Sequence, residues 1–288
     1  MRIGELSDVR AARPGAIAEA ADARRRRETP PGAAGRVLII EADHPARGAL
    51  GAGGDPVAMA RREDLLERLC VALGRPGVDG VLATPDVLED LMLLGVLDDR
   101  LAIGSMNRGG LAGTVFEIDD RFTAYDADAI AAARLDGGKM LLRIDDEDPA
   151  TANTLEGCAH AVSGLARHGL MALVEPFVAH RIEGHVRNLL TAEAMIRAVS
   201  VASGLGVTSA YTWLKLPVVP EMERVTAATT LPVLLLGGEV AGDVGAVLDG
   251  WRRAMRLPGV RGLVAGRSLL YPPDGDVRGA VDAAAGIL

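Results

Sequence analysis

The chain has 288 residues, 49% of them hydrophobic, and a formal charge of −8. That length holds one large domain or two small ones, and the acidic balance argues against a nucleic-acid partner, which calls for a basic face. The opening MRIGELSDVRAARPG lacks the apolar core of a signal peptide and no 18-residue apolar stretch follows, so the expectation is a cytoplasmic protein that engages no membrane.

Residues 1–34 read as a short N-terminal extension and linker. Its basic run, Arg24 to Arg27, lies in ADARRRRETPPGAAG and reads as a solvated linker or helix end. From residue 35 to 288 short apolar runs alternate with longer helical patterns, as in βα units around a parallel sheet. The strand candidates are 36–43, 79–84, 101–106, 139–145, 170–177, 207–216, 232–238 and 260–266. Between them Asp55-Pro56, Thr84-Pro85 and Asp148-Pro149 each offer a capping side chain before a proline at the first helical position. Gly74, Gly95, Gly169 and Gly204 stand where helices should stop. Cys70 and Cys158 fall in helical patterns without metal-ligand spacing, which suits a reduced compartment.

Eight βα units predict an α/β fold, a single (β/α)8 TIM barrel. A doubly wound sheet is the alternative, because periodicity does not show closure. Such a sheet would normally carry a nucleotide motif after its first strand. GALGAGGD spells neither GxGxxG nor a P-loop.

Of the 31 basic residues only Lys139, in DGGKMLLRID, and Lys215, in YTWLKLPVV, are lysines. Guanidinium stays charged, whereas a buried ε-amine can lose its proton and become a nucleophile. Either lysine alone is explained by codon bias, but both lie inside apolar, strand-like runs where a solvated charge is not expected. In a barrel, catalytic groups sit at strand C-terminal ends. Asp43, Glu175, Lys215, Gly237-Gly238 and Gly266-Arg267 all fall there. Glycines and an arginine after the last two strands suit a phosphate seat, although each pair alone is better explained by an ordinary strand-to-helix turn.

EADHPARGAL, GGKMLLRIDDED, ALVEP, WLKLP, LLLGG and VAGRSLL, in this order, resemble the class I aldolases of the deoxyribose-phosphate, archaeal-type fructose-bisphosphate and tagatose-bisphosphate superfamily. The resemblance runs from about residue 36 to 270. It implies a Schiff-base lysine at Lys215, polar partners at Lys139 and Glu175, an acidic residue at Asp43, and a phosphate cradle of Gly237, Gly238, Gly266 and Arg267. It further implies a phosphorylated sugar or sugar-acid substrate, no cofactor and a homo-oligomer. The arginine-rich make-up and diverged front end look like an actinobacterial branch associated with inositol catabolism, whose expected substrate is 5-dehydro-2-deoxygluconate 6-phosphate. His44-Pro45-Ala46 depart from the family pattern, in which the strand-one Asp runs almost directly into Arg-Gly; the roles of His44 and Arg47 stay open, and residues 1–34 have no counterpart.

Aldol cleavage needs an electron sink, and a lysine iminium supplies one without metal. Lys139 is the obvious cation to help free the Lys215 amine, and Glu175 a proton shuttle; a buried salt bridge explains that pair equally well. A metal-dependent aldolase needs converging histidines. His180 and His185, five apart, do not share a helical face, and His160 and His168 fall in an outer helix, so no metal is expected. Trp213 and Tyr211 share the strand face of Lys215 and are candidate pocket residues. A sugar-phosphate-binding regulatory barrel is the non-enzymatic alternative.

Overall fold

Eight parallel strands close into a ring in the computed structural model, which describes residues 1–28, 35–238 and 244–288. They are β1 (Val37–Ala42), β2 (Gly80–Ala83), β3 (Leu101–Ser105), β4 (Gly137–Ile144), β5 (Met171–Ile182), β7 (Thr212–Leu216), β8 (Val233–Leu236) and β9 (Val260–Ala265). β1 lies between β2 and β9, and pairing of β4 with β5 completes the circle. The fold is a (β/α)8 TIM barrel, and the doubly wound alternative falls away.

Two helices, α1 (Leu6–Ala12) and α2 (Ala16–Ala23), precede the barrel. Around it run α3 (Arg62–Leu73), α4 (Pro85–Leu93), α5 (Ala127–Ala132), α6 (Ala150–Arg167), α7 (Ala192–Ser203), α8 (Met222–Thr226), α9 (Val244–Ala254), α10 (Arg267–Leu270) and α11 (Val277–Ala285). Thr84 stands at the N-cap of α4 with Pro85 at its first position, but its hydroxyl donates to Asp86 Oδ1 at 2.6 Å instead of accepting from a helix amide. Asp148 accepts a hydrogen bond from the Ala150 amide at the start of α6. Asp55-Pro56 starts no helix. Gly53 and Gly54 adopt left-handed φ values of 59° and 88°, turning the chain so that Ala52 and Asp55 bridge each other, and α3 begins only at Arg62. Helices end beside Gly74, Gly95, Gly169 and Gly204 as the sequence predicts. Cys70 on α3 and Cys158 on α6 are free thiols.

Strand alternation sorts side chains into two layers. Leu38, Ile40, Val174, Leu214 and Leu216 face the helices. Val37, Ile39, Leu82, Leu101, Ile103, Met171, Leu173, Leu234 and Val264 fill the barrel interior as an apolar plug. The same parity carried upward places Glu41, Ser105, Lys139, Glu175 and Lys215 inside the ring, above that plug.

Three local expectations need correction. The strand expected over 207–216 begins at Thr212, so Tyr211 sits at the N-terminal end of β7, 43% exposed and away from the mouth, while Trp213 packs on the plug. The strand expected over 170–177 continues to Ile182 and folds back as an antiparallel hairpin with β6 (His185–Asn188), so His180 and His185 lie on strands.

The third is the Arg24 to Arg27 run, which does follow a helix end, Arg24 being the C-cap of α2, but is a clamp rather than a solvated linker. The Arg24 side chain is 2% exposed, donates to the carbonyls of Arg100 and Arg134, and pairs with Asp136 at 3.3 Å. Arg26 joins the same carboxylate at 3.0 Å, Arg27 meets Asp79 at 2.5 Å and Arg25 grips Asp99. These aspartates precede β2, β3 and β4, so the run fastens the N-terminal segment to the barrel floor. No helix among the described residues is long and apolar enough to cross a membrane.

Candidate active site

At the mouth, Lys139 and Lys215 are 1% and 2% exposed, too buried to be solvated charges. Each lies on a central strand with its amine inside the ring, and Glu175 of β5 bridges the two. Its Oε2 lies 2.5 Å from Lys139 Nζ and its Oε1 accepts from Lys215 Nζ at 2.9 Å. Glu41, one turn of alternation above Ile39 on β1, takes a second bond from Lys215 and stands 3.8 Å from Lys139. Asp43 follows β1 and is fully buried. Its Oδ2 accepts from Lys139 at 3.3 Å, from Ser105 Oγ at 2.8 Å and from Arg108. Three carboxylates thus face Lys139, Lys215 and Arg108 in a nearly dry chamber.

This balance decides which group can switch. Burial, with the Arg108 charge adding to it, lowers Lys139 to about 7. Burial pushes Glu41 up, but the surrounding cations, chiefly Lys215, outweigh it and hold the carboxyl at about 2. Glu175 likewise is held well below the usual carboxylate range by Lys139 and Lys215 against the effect of burial. Glu41 and Glu175 are therefore anionic at neutral pH, and Lys139 is poised to gain or lose its proton.

A second ring of charge comes from loops. Arg143, two alternations beyond Lys139 on β4, forks onto Asp120 at 2.8 and 2.6 Å and donates to the Glu117 carbonyl. Arg47 donates to the Gly110 carbonyl at 3.1 Å and approaches Glu117 at 3.6 Å. The segment after β3, carrying Arg108, Glu117 and Asp120, is thereby held across the mouth.

The four residues expected to seat a phosphate lie at the ends of the adjacent strands β8 and β9. Gly237 has a packing role of its own: a Cβ there would meet Ala265 Cβ at 2.7 Å, and its amide donates to the Val264 carbonyl at 2.9 Å. Gly266 is equally constrained, since a Cβ would come 2.2 Å from the Glu41 carbonyl oxygen. Gly238 has a φ of 67° and open space where a side chain would be. Arg267 opens α10 close enough for its charge to act on His44. The remainder of the GGEVAGD loop, 239–243, lies outside the described residues.

His44 belongs to the site, with Nε2 3.9 Å from Glu41 and Nδ1 3.9 Å from Asp43. Burial, reinforced by Arg267 and both lysines, lowers it to about 4, so its imidazole is neutral at physiological pH. Glu41, Asp43 and His44 place donor atoms within 4.8 Å of one another. That set suits a divalent ion poorly, because Glu41 and Asp43 already face Lys215, Lys139 and Arg108 and an added ion would meet three cations. The other histidines stay apart: His160 is on outer α6, His168 at its end, and His180 3.1 Å from Asp145 on the hairpin side.

The site therefore unites Lys215, Lys139, Glu175 and Asp43, and adds Glu41, Arg108, Ser105 and His44, which the sequence reading did not assign. Glu41 had a usable signal, since alternation from Val37 and Ile39 points it inward.

The chain is similar to the crystal structure of Cgl0159 from Corynebacterium glutamicum, at 52% identity and a TM-score of 0.95, over 98% of this chain and 95% of that one. It also resembles, at 17% identity and a TM-score of 0.66, a Schiff base-forming fructose-1,6-bisphosphate aldolase, over 94% of this chain and 100% of that one. The fructose-bisphosphate aldolase from Slackia heliotrinireducens matches at 16% identity and a TM-score of 0.65, over 88% and 85% of the two chains. Identities that low speak to the fold alone. A search of the curated proteins gave no match. The Cgl0159-like family model covers residues 35–285, and the chain belongs to that family.

Proposed function

We propose that the protein is a class I aldolase that cleaves a phosphorylated ketose or keto sugar acid through a Schiff base on Lys215. The observation that carries this reading is the pair of buried amines joined by one carboxylate, Lys215 and Lys139 on either side of Glu175. A salt bridge that only held the barrel together would need no group able to switch near neutrality; Lys139, lowered to about 7, is such a group.

In the proposed reaction, neutral Lys139 receives through Glu175 the proton that Lys215 must lose. The freed Lys215 amine adds to the substrate carbonyl to give a carbinolamine, which loses water to become an iminium. That iminium draws the electron pair of the breaking carbon–carbon bond, an aldehyde leaves, and reprotonation and hydrolysis of the remaining enamine return the amine. Arg267 with Gly238 and Gly266 is the proposed phosphate seat. Among candidate substrates, 5-dehydro-2-deoxygluconate 6-phosphate follows from the inositol-branch resemblance, beside fructose and tagatose bisphosphates.

The lowering of Lys139 also favours a second reading in which Lys139 is itself the nucleophile and Lys215 its charged neighbour. Incubation with candidate ketose phosphates and borohydride, followed by intact mass, tests the common element of both. A stable adduct is expected. None with any carbonyl probe would leave the non-catalytic sugar-phosphate-binding barrel as the better description.

A further inference from the structure

Two atoms at the heart of the mouth have no hydrogen-bond partner although both are buried: Asp43 Oδ1 and His44 Nδ1, 3.9 Å apart. Their neighbours are otherwise well matched. Asp43 Oδ2 accepts from Ser105, Lys139 and Arg108, while His44 turns Nε2 toward Glu41. Leaving a buried polar atom without a partner is unfavourable, so two side by side next to a reactive centre mark where a ligand's polar groups belong. Both ring nitrogens stand 3.9 Å from a carboxylate, Nε2 from Glu41 and Nδ1 from Asp43, so distance does not choose between the neutral tautomers; the one with its proton on Nε2 leaves a lone pair on Nδ1. The carboxylate oxygen beside it also accepts. Two acceptors at this spacing ask for two donors close together, and adjacent hydroxyls of a sugar provide one each.

We propose that Asp43 Oδ1 and His44 Nδ1 together read a vicinal diol on the substrate, Asp43 the hydroxyl on the carbon next to the imine carbon and His44 the hydroxyl on the carbon beyond it. This rests on the Schiff-base reading above. As the bond between those two carbons breaks, its electron pair moves into the iminium to form an enamine. The outer hydroxyl oxygen becomes the aldehyde carbonyl, and its proton passes to His44 Nδ1. The imidazolium so formed returns that proton to the enamine carbon, regenerating an iminium that water hydrolyses. Glu175 is poorly placed for this step, since both its oxygens face lysines, and Glu41 turns Oε1 to Lys215 and Oε2 toward His44. The three tyrosines are not near it: Tyr211 is at the floor end of β7, Tyr125 packs on Gly104 and Tyr271 under Arg68. The substrate class follows: an α,β-dihydroxy carbonyl compound, such as a ketose bisphosphate, and not a 2-deoxy aldose, which lacks the inner hydroxyl.

The test uses the full chain with fructose 1,6-bisphosphate, tagatose 1,6-bisphosphate, 2-deoxyribose 5-phosphate and dihydroxyacetone phosphate as probes. Wild-type protein should cleave the better ketose bisphosphate with a kcat/KM at least ~10³-fold above that for 2-deoxyribose 5-phosphate, because a site built to bond a hydroxyl rejects the analogue that lacks it. His44→Gln should lower kcat for the ketose by about 10²–10⁴-fold yet leave borohydride trapping of dihydroxyacetone phosphate unchanged, since that compound has no outer hydroxyl. His44→Asn serves as the second variant should the first not fold, with thermal melting as the control. Equal use of 2-deoxyribose 5-phosphate, or wild-type cleavage rates in both variants, overturns the diol assignment while trapping keeps the Schiff-base reading intact. Absence of any trapped adduct in the wild type removes both. Activity that EDTA abolishes and zinc restores would make Asp43 and His44 metal ligands and overturn the proposal.

Discussion

The floor and the mouth of the barrel each bury arginine against carboxylates, but the mouth alone adds lysine. On the floor the groups are arginines: Arg24 ends on two main-chain carbonyls and on Asp136, and Arg27 on Asp79. At the mouth the two lysines of the chain converge on Glu175 and Glu41. A guanidinium cannot give up its proton, so a buried arginine serves to hold segments together. A buried amine can, and Lys139 is brought to about 7 by its burial and by Arg108. The residue type thus separates charge that fastens from charge that switches, in a sequence that otherwise uses arginine throughout.

The contrast breaks most visibly at Lys215. Lys215→Arg keeps the charge and removes the nucleophile, so turnover should fall by about 10⁴-fold or more, with thermal melting near that of the wild type. Substantial activity in this variant would mean that the mouth needs charge alone. The reciprocal experiment on the floor is Arg24→Ala, which leaves Asp136 with Arg26 and the Ala102 amide but takes the donor from the Arg100 and Arg134 carbonyls. It should cost about 1–3 kcal/mol in urea unfolding and leave kcat unaltered; a kcat that falls while stability holds would show the two ends to be coupled.

Lys139→Met sharpens the distinction through pH. Below about 7 Lys139 is protonated and cannot receive a proton from Lys215; above it the neutral amine can, so kcat/KM should rise along an acid limb centred near pH 7. Removing Lys139 should abolish that limb and lower kcat by about 10²-fold. A limb that persists unmoved would assign the titration to another group. The smallest effect is expected at the rim. Arg267→Ala should weaken phosphorylated substrates by about ten- to a hundredfold, the 1.5–3 kcal/mol of a hydrogen bond to a charged group, and their unphosphorylated analogues far less. Equal losses for both would make VAGRSLL a strand-to-helix turn only.

The barrel was legible because strand and helix periods differ, and its inner residues because alternation carries Val37 and Ile39 on to Glu41. Asp43, just past β1, stands where a barrel carries its polar groups, whereas Glu41 lies within the apolar run of the strand itself. Arg108, Glu117 and Asp120 were not legible. They sit on a long connection after β3 with no period, and only closure brings them to Asp43 and Arg143. The Arg24 to Arg27 run misled for a related reason: four consecutive arginines look solvated until Asp79, Asp99 and Asp136, each just before a strand, converge beneath the ring. The β5–β6 hairpin hid in VAHRIEGHVRN, whose polar content reads as loop, although Glu183 and Gly184, both at positive φ, make its turn.

The most direct measurement is the location of the borohydride-reduced adduct by peptide mass mapping, after incubation with dihydroxyacetone phosphate, in wild-type protein and in Lys139→Met. The expected result is a single modified residue, Lys215, in both proteins, formed more slowly in the variant. An adduct on Lys139 in the wild type, lost in Lys139→Met, would contradict the assignment of Lys215 as nucleophile and reverse the roles of the two buried amines.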